Sequence, residues 1–368
     1  MKSKKSANRI VINKILSNKI LSNKILLIPL FFIFSFFFIA LFSYQIMPDD
    51  TPMANSIELS IAKKKPGFQA QFLLFKKENN LADKHHIAQF FFGKEKPYDE
   101  VIINEYTIVG DTIFYSLYNH SLNDRKNNHI SDLYFDQSNK CTITKTFFLG
   151  TDKYGRDLLS RVILGTRVSF SVGFISVFIS VFIGLILGVI SGYYGGKIDL
   201  FICWLINVVW SIPTLLLVIA ISFVLGKGFW QVFIAVGLTM WVEVARVARG
   251  EVLKIVKLPY IEVVQSFGLH DIKIMIKHVL PNILNPILII SAANFATSVL
   301  LESGLSFLGI GVQPPFPSWG MIIRNHYGFI VMEKAYLCFI PGICIIILVL
   351  SFMLLANGLR DFFDTKLK

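Results

Sequence analysis

Glu302 is a carboxylate at the edge of the apolar run Ile283–Leu301, in a chain of 368 residues of which only 16% are charged. An ionisable group in or beside a lipid-crossing segment is costly and by default a functional candidate. Two readings are open for it. It lines a substrate path, where it would meet a cationic group such as a peptide amine, or it is a satisfied structural group near the outer interface. A second polar concentration, Thr151, Asp152, Gly155, Arg156 and Asp157, precedes the apolar run Val168–Ile190. Thr151 or Asp152 can cap a helix start and Arg156 can pair with Asp157, and the same residues could equally face a receptor. Glu243, Arg246 and Arg249, spaced i, i+3, i+6, read as interfacial charges.

Other chemistry lacks carriers in this sequence. No GxxxxGK[ST] occurs, so the chain does not bind ATP through a P-loop. It contains neither a Gly-x-Ser-x-Gly elbow nor a His-Glu-x-x-His metal helix. His85, His86, His120 and His129 repeat no ligand spacing and read as surface histidines. Cys203, Cys338 and Cys344 lie in apolar runs, and Cys141 has no cysteine near it to pair with.

The elements that must position these groups are set by hydropathy. Hydrophobic residues make up 54% of the chain and its mean hydropathy is +0.60. Six runs are long enough to cross a ~30 Å hydrocarbon layer as helix: Ile25–Met47, Val168–Ile190, Leu200–Leu225, Phe229–Val247, Ile283–Leu301 and Ala335–Leu355. Short turns between the later runs imply antiparallel neighbours. Gly173, Gly184, Gly188 and Gly192 lie on or just past the second run, where small residues let helices approach closely.

The net charge of +12 follows the topology. With the N-terminus inside, the inner segments hold 17 Lys and Arg against 7 Asp and Glu, whereas Pro48–Arg167 holds 16 against 15. That is the positive-inside pattern. No soluble basic face with interleaved aromatics exists, so a nucleic-acid partner is excluded. The first run is longer than the ~7–15 residues of a signal-peptide core and lacks a small-x-small cleavage site, so it reads as an uncleaved anchor.

Four regions result: a basic cytoplasmic leader at 1–24, containing a threefold Asn-Lys-Ile-Leu pentad, a transmembrane anchor at 25–47, an extracytoplasmic insert at 48–148, and a membrane domain at 149–368 with five transmembrane helices. In the insert, Val101–Val109 and Thr112–Tyr118 read as strands around Gly110-Asp111. The membrane runs hold almost no ionisable residues, which argues against a proton-driven carrier and for an energy source on another chain.

Tyr260–Asn282 is the most informative stretch. Tyr260, Val264 and Phe267 form one apolar stripe of a short helix that Gly268 can end through a positive φ. Asp271 can cap a second helix, on which Ile272, Met275, Ile276 and Val279 repeat the pattern while Lys273 and Lys277 face away. Pro281 would stop it. Two short amphipathic helices on a cytoplasmic face need a partner or a headgroup surface.

Glu262-Val263-Val264, three residues, Gly268, nine residues, then His278-Val-Leu280-Pro281 resembles the EAA loop of ABC-importer permeases, EAA-x3-G-x9-I-x-LP. Two valines replace its alanines and His278 its usual Ile. Leu149-Gly-Thr-Asp-Lys-Tyr-Gly-Arg-Asp157, continuing to Arg161, is similar to the signature ahead of the second helix in the second permease subunit of the dipeptide/oligopeptide branch. Ala245-Arg246, Arg249-Gly250-Glu251 and the stretch Leu301–Gly320 resemble two further motifs of that branch. The resemblance runs from Leu149 to the end and takes in the anchor. The insert departs from the shorter family connection.

The resemblance implies an all-α integral membrane protein with six transmembrane helices of the ABC importer permease type and a β-rich extracytoplasmic insert between helices one and two. It implies half of a translocation pathway for di- or oligopeptides in a bacterial inner membrane, with both termini cytoplasmic. The implied partners are a second, related permease, two ABC ATPases that bind ATP and Mg2+, and an extracytoplasmic substrate-binding protein. The ATPases would dock at Tyr260, Glu262, Val263, Val264, Phe267, Gly268, His278, Leu280 and Pro281. No cofactor or metal is expected in this chain, nor enzymatic activity. Two alternatives remain: the same machine carrying nickel or another small solute, and a non-transporting membrane scaffold.

Overall fold

The computed structural model describes residues 24–77, 86–119, 125–136, 139–226, 228 and 230–364. The leader with its pentads up to residue 23, and His85 and His120, lie outside the described residues. Helix α1, Lys24–Leu41, is a shorter apolar helix that leans on the C-terminal helix, Leu26 filling the space beside Gly358.

Residues 68–147 carry a five-stranded antiparallel sheet, β1 (Phe68–Lys76), β2 (Tyr98–Val109), β3 (Thr112–Leu117), β4 (Arg125–His129) and β5 (Thr142–Phe147), in the order β4-β3-β2-β1-β5. The β2–β3 turn is at Gly110-Asp111, with Gly110 at φ +57. Strand β1 is covered on both faces: Leu73 packs with Ile103, Ile113 and Leu133, and Phe72 with Ile61, Ile102 and Phe147. Period-two alternation sends neighbouring side chains to opposite sides, so a strand with buried apolar residues on both faces sits inside the sheet, here between β2 and β5.

Four described helices are long and apolar enough to cross a membrane: α2 (Leu158–Tyr194), α5 (Trp230–Val256), α7 (Asp271–Leu308) and α9 (Tyr336–Asp364). Between α2 and α5, the expected straight run Leu200–Leu225 is instead a pair, α3 (Gly196–Trp210) and α4 (Thr214–Leu225), bent by 92°. Pro213 explains the break, because it has no N–H to donate and disfavours helical geometry at Ile212.

Helix α5 is the central element: 72% of its apolar window is buried, against 33% for α2. It packs along α2, with Gly184 against Val244, Gly188 against Ala245 and Ala248, and Gly192 against Val252. The residue numbers rise together, so this pair is parallel, and α3–α4 carries the chain back between them. Alternate members of an antiparallel series run in the same direction, so this pairing accords with antiparallel chain neighbours. A methyl group on Gly188 would lie 2.5 Å from the Ala245 carbonyl oxygen, so the approach depends on glycine.

Candidate functional site

At the cytoplasmic end, on the charge reading, α6 (Pro259–Ser266) follows α5 directly. Pro259 at its first position needs no intrahelical donor. Gly268, at φ +72, closes it, its N–H bonded to the Gln265 carbonyl at 2.9 Å. The stripe turns out differently from its expected register. Ile261 is the fully buried anchor, packing in one cluster with Val252, Ile255, Ile274 and Val279, and Val264 is half-buried beside it. Tyr260, Val263 and Phe267 are exposed, Phe267 by 79%. On the next helix Ile274 and Val279 are buried, while Ile272 and Ile276 are exposed and Met275 half-buried. An apolar crest therefore rises from a helix whose opposite side is pinned to the core.

Two expectations change here. His270, not Asp271, caps the second helix, its Nδ1 accepting from the Ile272 N–H at 3.4 Å. Asp271 is taken by the Tyr193 hydroxyl, which donates to Oδ1 at 2.8 Å and ties the end of α2 to this corner. Nor does Pro281 stop the helix. A π-turn at Met275–Val279 lets α7 run unbroken from Asp271 to Leu308, and Pro281 sits in the first turn beyond it. Glu262 and Pro281 are exposed, and His278 and Leu280 are half-buried. The Asn282 amide joins the Tyr260 hydroxyl (3.2 Å) to the His278 carbonyl (2.6 Å).

At the other end, Thr151, Asp152, Gly155, Arg156 and Asp157 fold into one buried knot ahead of α2. Asp152 Oδ1 accepts from the Tyr154 and Arg156 amides at 2.8 and 3.0 Å. Its Oδ2 takes Arg156 Nε at 2.8 Å and Nη2 at 2.7 Å. Arg156 thus pairs with Asp152 and not with Asp157, because the tight turn at Gly155 (φ +77) folds the chain back on itself. The cap of α2 is Asp157, whose Oδ2 accepts from the Ser160 N–H at 2.8 Å, and not Thr151 or Asp152. Burial raises the Asp157 carboxyl, and the Ser160 hydroxyl and amide draw it part of the way back. Thr151 donates its hydroxyl to the Ile61 carbonyl and accepts from the Lys64 amide at 2.8 Å, so the knot ties the insert to α2.

Glu302 lies fully buried on α7. Its Oε1 accepts from Ser306 at 2.7 Å and its Oε2 from Ser169 of α2 at 3.4 Å and Ser303 at 3.5 Å. These bonds join α2 to α7, and Ser306 extends the link to the following loop by accepting from the Val312 N–H at 3.3 Å. Ser318 caps α8 (Trp319–His326), its hydroxyl accepting from the Met321 N–H at 3.2 Å. Trp319 locks the same loop, its Nε1 donating to the Val162 carbonyl at 2.9 Å.

Of Glu243, Arg246 and Arg249 on α5, Arg246 stacks over Trp210 at 3.5 Å and Arg249 forks onto Asp199, while Glu243 is exposed. Sequence spacing carries no sign of the Asp199 pair, fifty positions away, or of Ser169, a hydroxyl among apolar neighbours.

Residues 184–368 match the family model described as binding-protein-dependent transport system inner membrane component. The chain is 37% identical over 221 residues to the glutathione transport system permease protein GsiD of Pectobacterium atrosepticum, covering 60% of this chain and 73% of that one. It is 35% identical over 221 residues to the dipeptide transport system permease protein DppC of Bacillus subtilis, covering 60% and 69%. Among solved structures, it is similar to a chain of the MetNI methionine ABC transporter in an inward-facing conformation. That match has a TM-score of 0.46 and 19% identity, and covers 55% of this chain and 97% of that one.

Proposed function

Because the chain belongs to the family of binding-protein-dependent transport system inner membrane components and is a permease subunit of an ABC importer, we propose that its cargo is di- or oligopeptide, and that ATPase subunits drive it through the α6 crest. The cargo reading rests on relatives named for dipeptide and glutathione transport. The observation that carries the coupling reading is the contrast within α6: Ile261 fully buried, Val263 and Phe267 projecting. An apolar face that its own chain does not cover fits an interface anchor, since a few projecting apolar or aromatic residues carry most of a docking energy.

The assembly so inferred has a second, related permease across the pathway, two ATPases holding ATP and Mg2+, and an extracytoplasmic binding protein. Both chain termini lie in the cytoplasm. This subunit contributes rigid parts: α6 clamped to α5 and α7 by Ile261 and Ile274, and α7 unbroken to its outer end at Leu308. Closure of the ATPases would push α6, and a helix fixed to it moves as a lever, so the bundle tilts between inward- and outward-open states.

The test is co-purification from detergent-solubilised membranes, comparing the native chain with the double variant Gly268→Asp, Glu262→Arg. Recovery of an ATPase subunit with the native chain, and its loss in the variant at equal expression, is expected. Failure of both forms to recover an ATPase would overturn the coupling reading and favour a scaffold.

A further inference from the structure

We propose that the cavity between the Thr151–Arg161 segment and the loop after α7 is a carboxylate site, occupied by the C-terminal residue of a peptide. The peptide identity rests on the cargo reading above; the carboxylate chemistry rests on the cavity itself. The cavity has a volume of about 360 Å³, small for a ligand pocket but enough for one or two residues.

Its charge is one-sided. Arg156, Arg161 and Arg324 line it, and no Asp or Glu does. Behind them Asp152 is fully buried and serves two of the three, its Oδ2 taking both Nε and Nη2 of Arg156 and lying 3.8 Å from Arg161 Nε. Lys153 joins the same corner through Asn325 Oδ1 at 3.2 Å. Two buried guanidinium groups thus share Asp152, with Asp49 acting on Arg161 from farther off, while Arg324 makes no ion pair among the described residues. Arg161 is only 2% exposed and Arg156 7%, so neither is bathed in solvent that would offset the imbalance. Buried guanidinium groups with a shared counter-charge are poorly compensated, and a bound carboxylate would supply the missing charge. A planar guanidinium also matches a carboxylate in shape, with two parallel N–H donors.

The rest of the lining orders and selects. Asn55 and Asn325 already accept through their carbonyl oxygens, from Arg156 Nη1 at 2.8 Å and from Lys153. Their amide N–H groups remain as donors of the kind an oxyanion needs. Gln313 is held by the Gly309 and Gly311 carbonyls, at 3.2 and 2.9 Å, and so fixes the loop. Ile57, Val312 and Met321 give an apolar wall beside this polar end. An anionic head next to an apolar flank is the chemistry of a peptide's last residue, where inorganic phosphate would leave the wall unused. The site lies beyond the outer end of α7, about 57 Å of helix from the α6 crest.

Binding is measured to the purified full chain in lipid nanodiscs, with the tripeptide Ala-Ala-Phe as free acid, its C-terminal amide, and inorganic phosphate. The free acid should bind about tenfold or more tighter than the amide, the scale of one lost charge-assisted contact. Arg324→Gln, at an exposed position, should bring the acid down toward the amide, and Arg324→Lys should recover part of the difference; thermal unfolding of each variant checks the fold. Equal binding of acid and amide, no acid binding at millimolar concentration, or phosphate displacing nothing while Arg324→Gln changes nothing, overturns the site. ATP-driven peptide uptake in proteoliposomes that hold the whole importer, with its partner permease, ATPases and binding protein, separates the two claims. Uptake without acid-selective binding refutes the site alone, and acid-selective binding without uptake refutes the cargo reading alone.

Discussion

Arg249 of α5 grips Asp199 of α3 with both arms of its fork, Nε lying 2.5 Å from Oδ1 and Nη2 2.6 Å from Oδ2. The Ser191 hydroxyl and the Cys203 thiol share the same carboxylate, so one residue joins the end of α2, the start of α3 and the last turns of α5. This pair joins the first half of the bent α3–α4 to the central helix, beside the Arg246–Trp210 stack and the packing of Ile202 and Ile206 against Trp241 and Ala245. Arg249→Ala should loosen α3, at a cost of about 1–2 kcal/mol for a part-exposed bidentate pair. The check is alkylation of Cys203 followed by peptide mass mapping, which should run several-fold faster in the variant. An unchanged rate would mean that packing alone holds α3.

The α2–α5 contact predicts two opposite outcomes for glycine substitution. Gly188→Ala places a methyl 2.5 Å from the Ala245 carbonyl oxygen, so the helices must separate. The expected loss is about 1–3 kcal/mol, as for other overpacked interiors. Gly250→Ala, on α5 with open space around it, should be neutral or gain roughly 0.5–1 kcal/mol from helix propensity. Thermal inactivation of the two variants in one detergent compares them directly, and the same shift in both would refute the close-approach account.

The α6 helix separates stability from docking. Phe267→Ala removes an exposed ring and should leave stability within about 0.5 kcal/mol, yet weaken ATPase capture by more than about 1 kcal/mol. Ile261→Ala empties a fully buried position and should cost roughly 2–5 kcal/mol of stability. A titration of ATPase against each variant, with unfolding curves alongside, reads both quantities. Equal docking by Phe267→Ala and the native chain would place the interface elsewhere.

The insert carries two carboxylates whose shifts oppose each other. Burial raises Glu58, and repulsion from Glu100 adds to it, so its ionised form opposes the fold at neutral pH. Burial also works to raise Glu100, but Lys145 and Lys96 outweigh it and hold the group low. Stability from Glu100 is therefore complete above the ordinary carboxylate range and is lost as pH falls through its lowered folded value. Glu58→Gln should slow hydrogen exchange of β1 and β5 at pH 7. Glu100→Gln, which strands two half-buried lysines, should speed it by the equivalent of roughly 2–3 kcal/mol. It should also flatten the acid dependence, and a retained acid slope would assign that slope to other groups.

What could be read from residue order alone was what each segment is made of. Long apolar runs demand lipid or a core whatever their neighbours do, and Gly268 offers the positive φ that a turn between two short helices needs. The ordered motifs from Leu149 onward carried the family. Residue order could not settle which of several equivalent partners each group would find. Asp271 and His270 can both cap a helix, and the cap fell to His270 because Tyr193, from the far end of α2, claims Asp271. Tyr260 and Ile261 are both apolar enough for a core, and only the packing of Ile274 and Val279 decides that Ile261 faces inward. The parallel pairing of α2 with α5 and the fork of Arg249 on Asp199 likewise join positions about fifty to sixty residues apart. Local sequence sets polarity and conformational range through short-range sterics and solvation. Partner choice is a long-range competition among near-equal contacts, and only the assembled chain resolves it.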